Sequence, residues 1–281
     1  MVFECHGHIM LDGVSYTNAV ARHKNGVDEA FVRNNLQINA DQGITFYRDG
    51  GDKFGVSVFA RKIAHEYGID YRSPSFLIHK KGFYGGMFGR DYTSMAEYRI
   101  LIKEAAMLGA DYIKLTASGM LDFNEGSVTG HAPDENDLRE TIKIAHGEGF
   151  STMVHVNGSE NIKMAAEAGA DSIEHGFFID DDGLNILKQA GTVWVPTCVA
   201  VANHIGKNRF NDDVLRRIID NHKTSMRKAK KLGLLVASGS DAGASGVIPG
   251  IGTLDELEVF DSIDFYPGPG NKKIEEVFKR A

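Results

Sequence analysis

Two histidines stand either side of a glycine in the opening segment Glu4-Cys5-His6-Gly7-His8-Ile9-Met10. Strand side chains alternate with a period of two, so in a strand His6 and His8 project from one face. Side by side on a buried face, two imidazoles repel when charged and lack partners when neutral. A metal ion removes both problems, whereas a solvated edge strand or an expression scar avoids them, and the short pattern alone does not choose. Further along, Lys114 in "DYIKLTASG", His155 in "TMVHVNG", His175 in "SIEHG" and Asp241 in "ASGSDAG" each follow an apolar run. Singly, His175 reads as a hydrogen-bonded core residue, Lys114 as a chain snorkelling from its strand, and Asp241 as a helix N-cap. Together they gather nitrogen and oxygen donors suited to zinc or another divalent ion.

Such donors converge only if the elements carrying them end at one place. Short apolar runs predict strands at Phe3–Ile9, Gly43–Arg48, Ser75–His79, Asp111–Leu115, Ser151–Val156, Asp171–Glu174, Thr192–Pro196 and Leu234–Ser238. Amphipathic stretches between them predict helices at Glu29–Asp41, Met95–Leu108, Glu135–Glu148, Glu160–Ala168 and Asp213–Leu232. Glycine punctuates the passage from helix to strand, as in "ADQGITF", "EAGADSI" and "KLGLLVA". Strict alternation of apolar strands with helices predicts a parallel sheet covered by helices, and this number of strands favours a closed (β/α)8 barrel over 1–281. A doubly wound sheet is the structural alternative, but no G-x-G-x-x-G follows the first strand. In a barrel the site lies at the C-terminal strand ends, where these polar residues fall.

Bulk properties agree with a globular protein. The 281 residues are 42% hydrophobic and 25% charged, which provides for a sizeable core. A net charge of −7 with scattered basic residues argues against nucleic acid as a partner. Cys5 and Cys198 alone suggest a reducing compartment rather than a disulfide framework. With no visible signal peptide and no apolar run long enough to span a bilayer, a cytoplasmic location and no membrane are expected.

The ordered set "ECHGHI", "GITFYRDGG", "ADYIKLTASG", "MVHVNG", "DSIEHG", "VWVPT" and "GSDAG" resembles the amidohydrolase superfamily, most closely its imidazolonepropionase- and prolidase-like branch. The resemblance implies a metal-dependent hydrolase on a distorted (β/α)8 barrel. His6, His8 and Asp241 would hold one ion, His155 and His175 a second, and carboxylated Lys114 would bridge them. Zinc is expected, with manganese, iron or cobalt as alternatives. A lysine in a dry strand loses its charge readily, and the neutral amine can take up carbon dioxide to become an anionic carbamate. The implied reaction cleaves the C–N amide bond of a dipeptide, N-acyl amino acid or cyclic amide through a metal-activated hydroxide, with Asp241 as general base. Hydrolysis of a lactone or organophosphate ester is an alternative; so is an inactive barrel serving as a binding subunit.

The sequence departs from that pattern in three places. The small β-sandwich usual in the family is expected to be missing, which leaves the first strand uncovered and favours a homo-oligomer. Glu4 stands where an aspartate is usual, and the loop after Asp241 lacks a histidine that many relatives carry. For the substrate, Arg48 is a candidate carboxylate clamp, with an ion pair to Asp49 or Asp52 as the alternative. Tyr84 belongs to the loop "HKKGFYGGMFGRDYT", whose glycines and aromatics suit a lid or simple packing on neighbouring helices. Asn157 shares the face of His155, and His131 lies in a long loop that either reaches the site or is solvated. Glu174 is a candidate for orienting a histidine ring. His23, His65, His146 and His222 read as loop or helix-surface residues.

Overall fold

A computed structural model describes residues 1–280. In chain order the strands are β1 (Val2–Gly7), β2 (Ile44–Asp49), β3 (Asp70–Arg72), β4 (Leu77–Lys80), β5 (Arg90–Tyr92), β6 (Ile113–Thr116), β7 (Leu121–Asp122), β8 (Ser127–Val128), β9 (Thr152–Val156), β10 (Ser172–His175) and β11 (Val193–Val195). Two parallel sheets form, β1-β2-β3 and β11-β10-β9-β6-β4-β5, and an antiparallel hairpin pairs β7 with β8. The segment predicted as the last strand joins the sheets through single bridges and hydrogen bonds. On one side Trp194 N donates to Leu235 O and Ala237 N to Trp194 O. On the other, Cys5 N donates to Ser238 O and His8 N to Ala242 O, with a bridge between Gly7 and Ala242. Just after the edge strand β3, Ser73 O accepts from Asp111 N, ahead of β6, at 2.8 Å.

The helices fall where the amphipathic stretches predict them. Glu29–Asp41 has its predicted bounds, and Met95–Met107, Glu135–Gly147, Ser159–Glu167 and Asp212–Leu232 differ by a residue. Asp28, Ser94, Asp134 and Asn211 each accept a first-turn N–H, which starts the helix where orphan donors need a partner. Gly191 and Gly233 close their helices at φ 72° and 66°, a conformation that lets the chain turn straight into a strand.

Leu115, Val154, Ile173 and Trp194 are buried in the larger core, between the sheet and helices such as Glu135–Gly147 and Asp212–Leu232. A second cluster, with Leu36, Tyr47 and Val56, packs under the smaller sheet. The terminal helix Gly268–Val277 brings Ile274 and Phe278 against Cys5, Phe46 and Tyr112. No helix among the described residues is long and apolar enough to cross a membrane.

Candidate metal centre and its pocket

The pairing between β1 and the segment after β11 creates the site. Asp241 N donates to His6 O at 2.7 Å, which sets an aspartate beside the first histidine across 235 residues of chain. Asp241 Oδ1 lies 3.2 Å from His8 Nε2 and 3.5 Å from His6 Nε2. One donor atom from each of His6, His8 and Asp241 falls within 4.8 Å of the others. The His6 ring centroid is 4.9 Å from that of His175, which is 4.6 Å from that of His155. Burial alone would raise the Asp241 carboxyl. The His8 hydrogen bond and the charges of His6, His8 and His175 outweigh it and hold the group well below the carboxylate range.

A buried network aims these rings. Glu174 accepts from Arg48 Nη2 at 2.8 Å to each oxygen, and also from Ser172 Oγ. Its Oε2 also lies 2.9 Å from His6 Nδ1, leaving His6 Nε2 to face Asp241. Against the cost of burial, Arg48 and then His6 pull the Glu174 carboxyl down to about 2. Thr197 Oγ1 meets His175 Nδ1 at 2.8 Å. Glu4 accepts from Ser240 N, Ser240 Oγ and Thr253 Oγ1, so the longer acid holds the turn that leads into Asp241. Burial raises the Glu4 carboxyl to about 7. Space is reserved as well: a Cβ at Gly50 would overlap the His8 ring, and one at Gly239 would lie 2.7 Å from His6 N. Asp241 and His175 themselves sit at φ 62° and 66°, a left-handed region uncommon for residues with side chains.

Lys114 projects from β6 into the same cavity and is 2% exposed. Its Nζ is buried without a hydrogen-bond partner among the described residues. Burial lowers the amine to about 8, against the opposing pull of Glu174. The donor set therefore fits divalent ions. His6, His8 and Asp241 are already within chelating reach, and a partnerless buried amine stands beside them where an anionic bridge would be satisfied. His155 and His175 line the cavity outside that inner group, and His155 Nε2 lies 3.1 Å from Gly119 O.

The cavity measures about 390 Å³ and is walled mainly by apolar and aromatic side chains. Tyr84 and Asn157 line it, as the sequence predicts. Tyr84 packs 4.7 Å from the His155 ring, and its carbonyl accepts from Thr116 Oγ1, so this loop covers the site. Three expectations are corrected. Arg48 is fully buried, with its guanidinium committed to Glu174, Ser172 Oγ and Cys5 O, and it cannot meet a substrate carboxylate. Its partner is neither Asp49 nor Asp52. His131 is exposed, because the hairpin turns Met120–Asn124 and Thr129 toward the cavity and leaves the following residues in solvent. His222 is not a surface residue: it stacks on Phe177 at 4.0 Å and reaches Pro196 O with Nε2. The sequence reading missed Tyr16, at the start of the helix Tyr16–His23, and Phe123, His204, Arg209 and Phe210, which line the cavity from loops; none carries a strand-end signal.

A model of the "Amidohydrolase family" matches residues 29–264. An uncharacterized protein of Mycobacterium tuberculosis is 25% identical over 182 residues, 62% of this chain and 48% of that protein. An ochratoxinase of Aspergillus niger is 24% identical over 155 residues, 53% of this chain and 32% of that protein. These matches thus span less than half the length of the curated relatives. Among solved structures, a Xaa-Pro dipeptidase with bound methionine superposes with a TM-score of 0.75 at 22% identity, covering 98% of this chain and 72% of the other. The A. niger ochratoxinase structure gives 0.74 at 19% identity, covering 98% of this chain and 68% of the other.

Proposed function

The chain belongs to the amidohydrolase family, and we propose that it hydrolyses a C–N amide bond in a small molecule. The observation that carries this reading is the convergence of His6, His8 and Asp241 beside the partnerless amine of Lys114. His6, His8 and Asp241 would hold one divalent ion, most suitably zinc, and His155 and His175 a second. Lys114, carboxylated by carbon dioxide, would join them. When bound, such ions supply Lewis-acid polarisation of the amide carbonyl and a lowered pKa for the attacking water. Asp241 takes the proton of that water at its carboxylate and delivers it to the leaving nitrogen. Tyr84 and Asn157 would contact the substrate, and the aromatic walls exclude bulk water around it. We read the two linked sheets as the (β/α)8 barrel on which such sites are built.

The test is a panel of dipeptides, N-acyl amino acids and cyclic amides, offered to zinc- or manganese-supplemented protein with free amine as the readout. Cleavage of at least one class is expected. Cleavage of none above the rate of an Asp241→Asn variant would overturn the proposal. The Lys114 reading has its own readout: protein equilibrated with ¹³C-bicarbonate should show a carbamate carbonyl signal, absent from Lys114→Ala and kept in Lys228→Ala. Its absence from metal-loaded wild-type protein would remove the carbamate.

A further inference from the structure

Arg209 lies in the cavity wall, far in sequence from any residue with a role above. It belongs to a roof made by two loops. Phe123 from the hairpin packs 5.3 Å from His204 and 5.0 Å edge-on from Phe210, and His204 and Phe210 are 5.1 Å apart. The guanidinium carbon of Arg209 lies 5.0 Å from the Phe210 ring centroid. Its Nη1 donates to Ser245 Oγ at 2.8 Å, and Ser245 N is fixed by Tyr16 Oη at 3.1 Å. The guanidinium is thus oriented by an aromatic ring and a hydroxyl, and among the described residues it forms no ion pair with a carboxylate. The other lysine or arginine of the lining, Lys114, lies deep among Glu174, Asp241 and Asp49. Asp122, the acid that the hairpin brings to the lining, has Oδ1 occupied by Asn124 N and Glu125 N.

We infer that Arg209 anchors a carboxylate of the substrate, so that the site selects amides carrying a negative charge next to an apolar or aromatic group. This rests on the cavity being the substrate site proposed above. A guanidinium presents a planar fork of donors that matches a carboxylate, and Ser245 holds one limb while the remaining donors stay available. Beside it, Phe123, Phe210 and Val201 give the apolar part of the same molecule a place to pack. A cavity of about 390 Å³ lies in the range that encloses a small organic ligand.

The test uses the full chain as purified and two ligands that differ only in charge, N-acetylphenylalanine and its carboxamide, titrated by thermal shift. The carboxylate should bind at least about fivefold more tightly, and the gap should narrow as salt is raised. Arg209→Met should erase the preference, Arg209→Lys should keep part of it, and Lys207→Met, on the same loop but outside the lining, should leave it intact. Circular dichroism melts of each variant separate a lost contact from a lost fold. Equal binding of the two ligands, failure of the carboxylate to bind, or an Arg209→Met protein that still prefers it would overturn the inference. Because the readout is binding, a clear carboxylate preference with no amide cleaved faults the hydrolase reading alone. Cleavage of both ligands without preference faults this one alone.

Discussion

The floor of the cavity and its roof are held in place by different physics. On the floor, His6 and Asp241 are locked by backbone hydrogen bonds between β1 and the last sheet segment. Behind them stand Arg48 and Glu174, both fully buried and mutually saturated. In the roof, Phe123, His204 and Phe210 meet through ring contacts between a hairpin and a loop, which share one exposed hydrogen bond from Asn211 N to Asn124 Oδ1, and Arg209 is exposed. A floor built this way tolerates almost no change, since each buried polar atom depends on its neighbour. A roof built from a few loop contacts can be rebuilt without disturbing the donors beneath it. On the proposed function, chemistry and selectivity are thereby separable.

The largest effect should come from breaking the floor's support. Arg48→Met leaves the Glu174 carboxylate buried without its partner and should cost about 3–5 kcal/mol in chemical denaturation. A loss under about 1 kcal/mol would mean that the buried pair is not what holds the floor. Next, Asp241→Asn should keep the fold while turnover of any cleaved substrate falls at least about a hundredfold. Retained turnover would take Asp241 out of the base role.

A smaller, pH-dependent effect is expected from His222, packed between Phe177 and Trp194 behind the floor. Burial lowers its pKa from 6.5 to about 4. Below 6.5 the unfolded chain takes up a proton that the folded one refuses until about 4, so this residue makes stability fall as pH drops through that window. Its full share, on the order of 2–3 kcal/mol, is present above the upper limit and lost below the lower one. His222→Gln should flatten the dependence of the urea midpoint on pH between those limits; an unchanged slope would show that the imidazole titrates freely. The smallest effect belongs to the roof. Phe123→Ala should lower stability by about 1 kcal/mol or less, because the ring is only partly buried. A drop of several kcal/mol would erase the contrast between the two regions.

The floor was legible in the sequence because strand ends are. Apolar runs closing on His155, His175 or Lys114 mark both the strand and the residue it presents, and the helices between them carry their own caps. Strands β3 and β5 escaped because their three residues, Asp-Tyr-Arg and Arg-Asp-Tyr, are mostly polar, unlike the equally short but wholly apolar β11. The last predicted strand joins by isolated bridges instead of a full ladder, a matter of backbone geometry that side-chain pattern does not encode. Arg48 misled for a related reason. Its position at a strand end was readable, but the choice between pocket and interior depended on Glu174, 126 residues away. The roof was invisible because Phe123, His204 and Arg209 are brought together only by tertiary packing. A run such as "KNRFND" announces a loop and nothing about what lies beneath it.

The left-handed backbone at Asp241 and His175 bears on how this protein can evolve. Each residue gives up on the order of 1 kcal/mol or more of conformational energy that glycine would not. A glycine there would recover that backbone energy but would lose the contact of Asp241 with His8 or that of His175 with Thr197, so the strain is offset by the side-chain network and not by the backbone itself. On the proposed function, a homologue carrying glycine at either position would have given up a metal ligand together with the reason to hold the strained backbone.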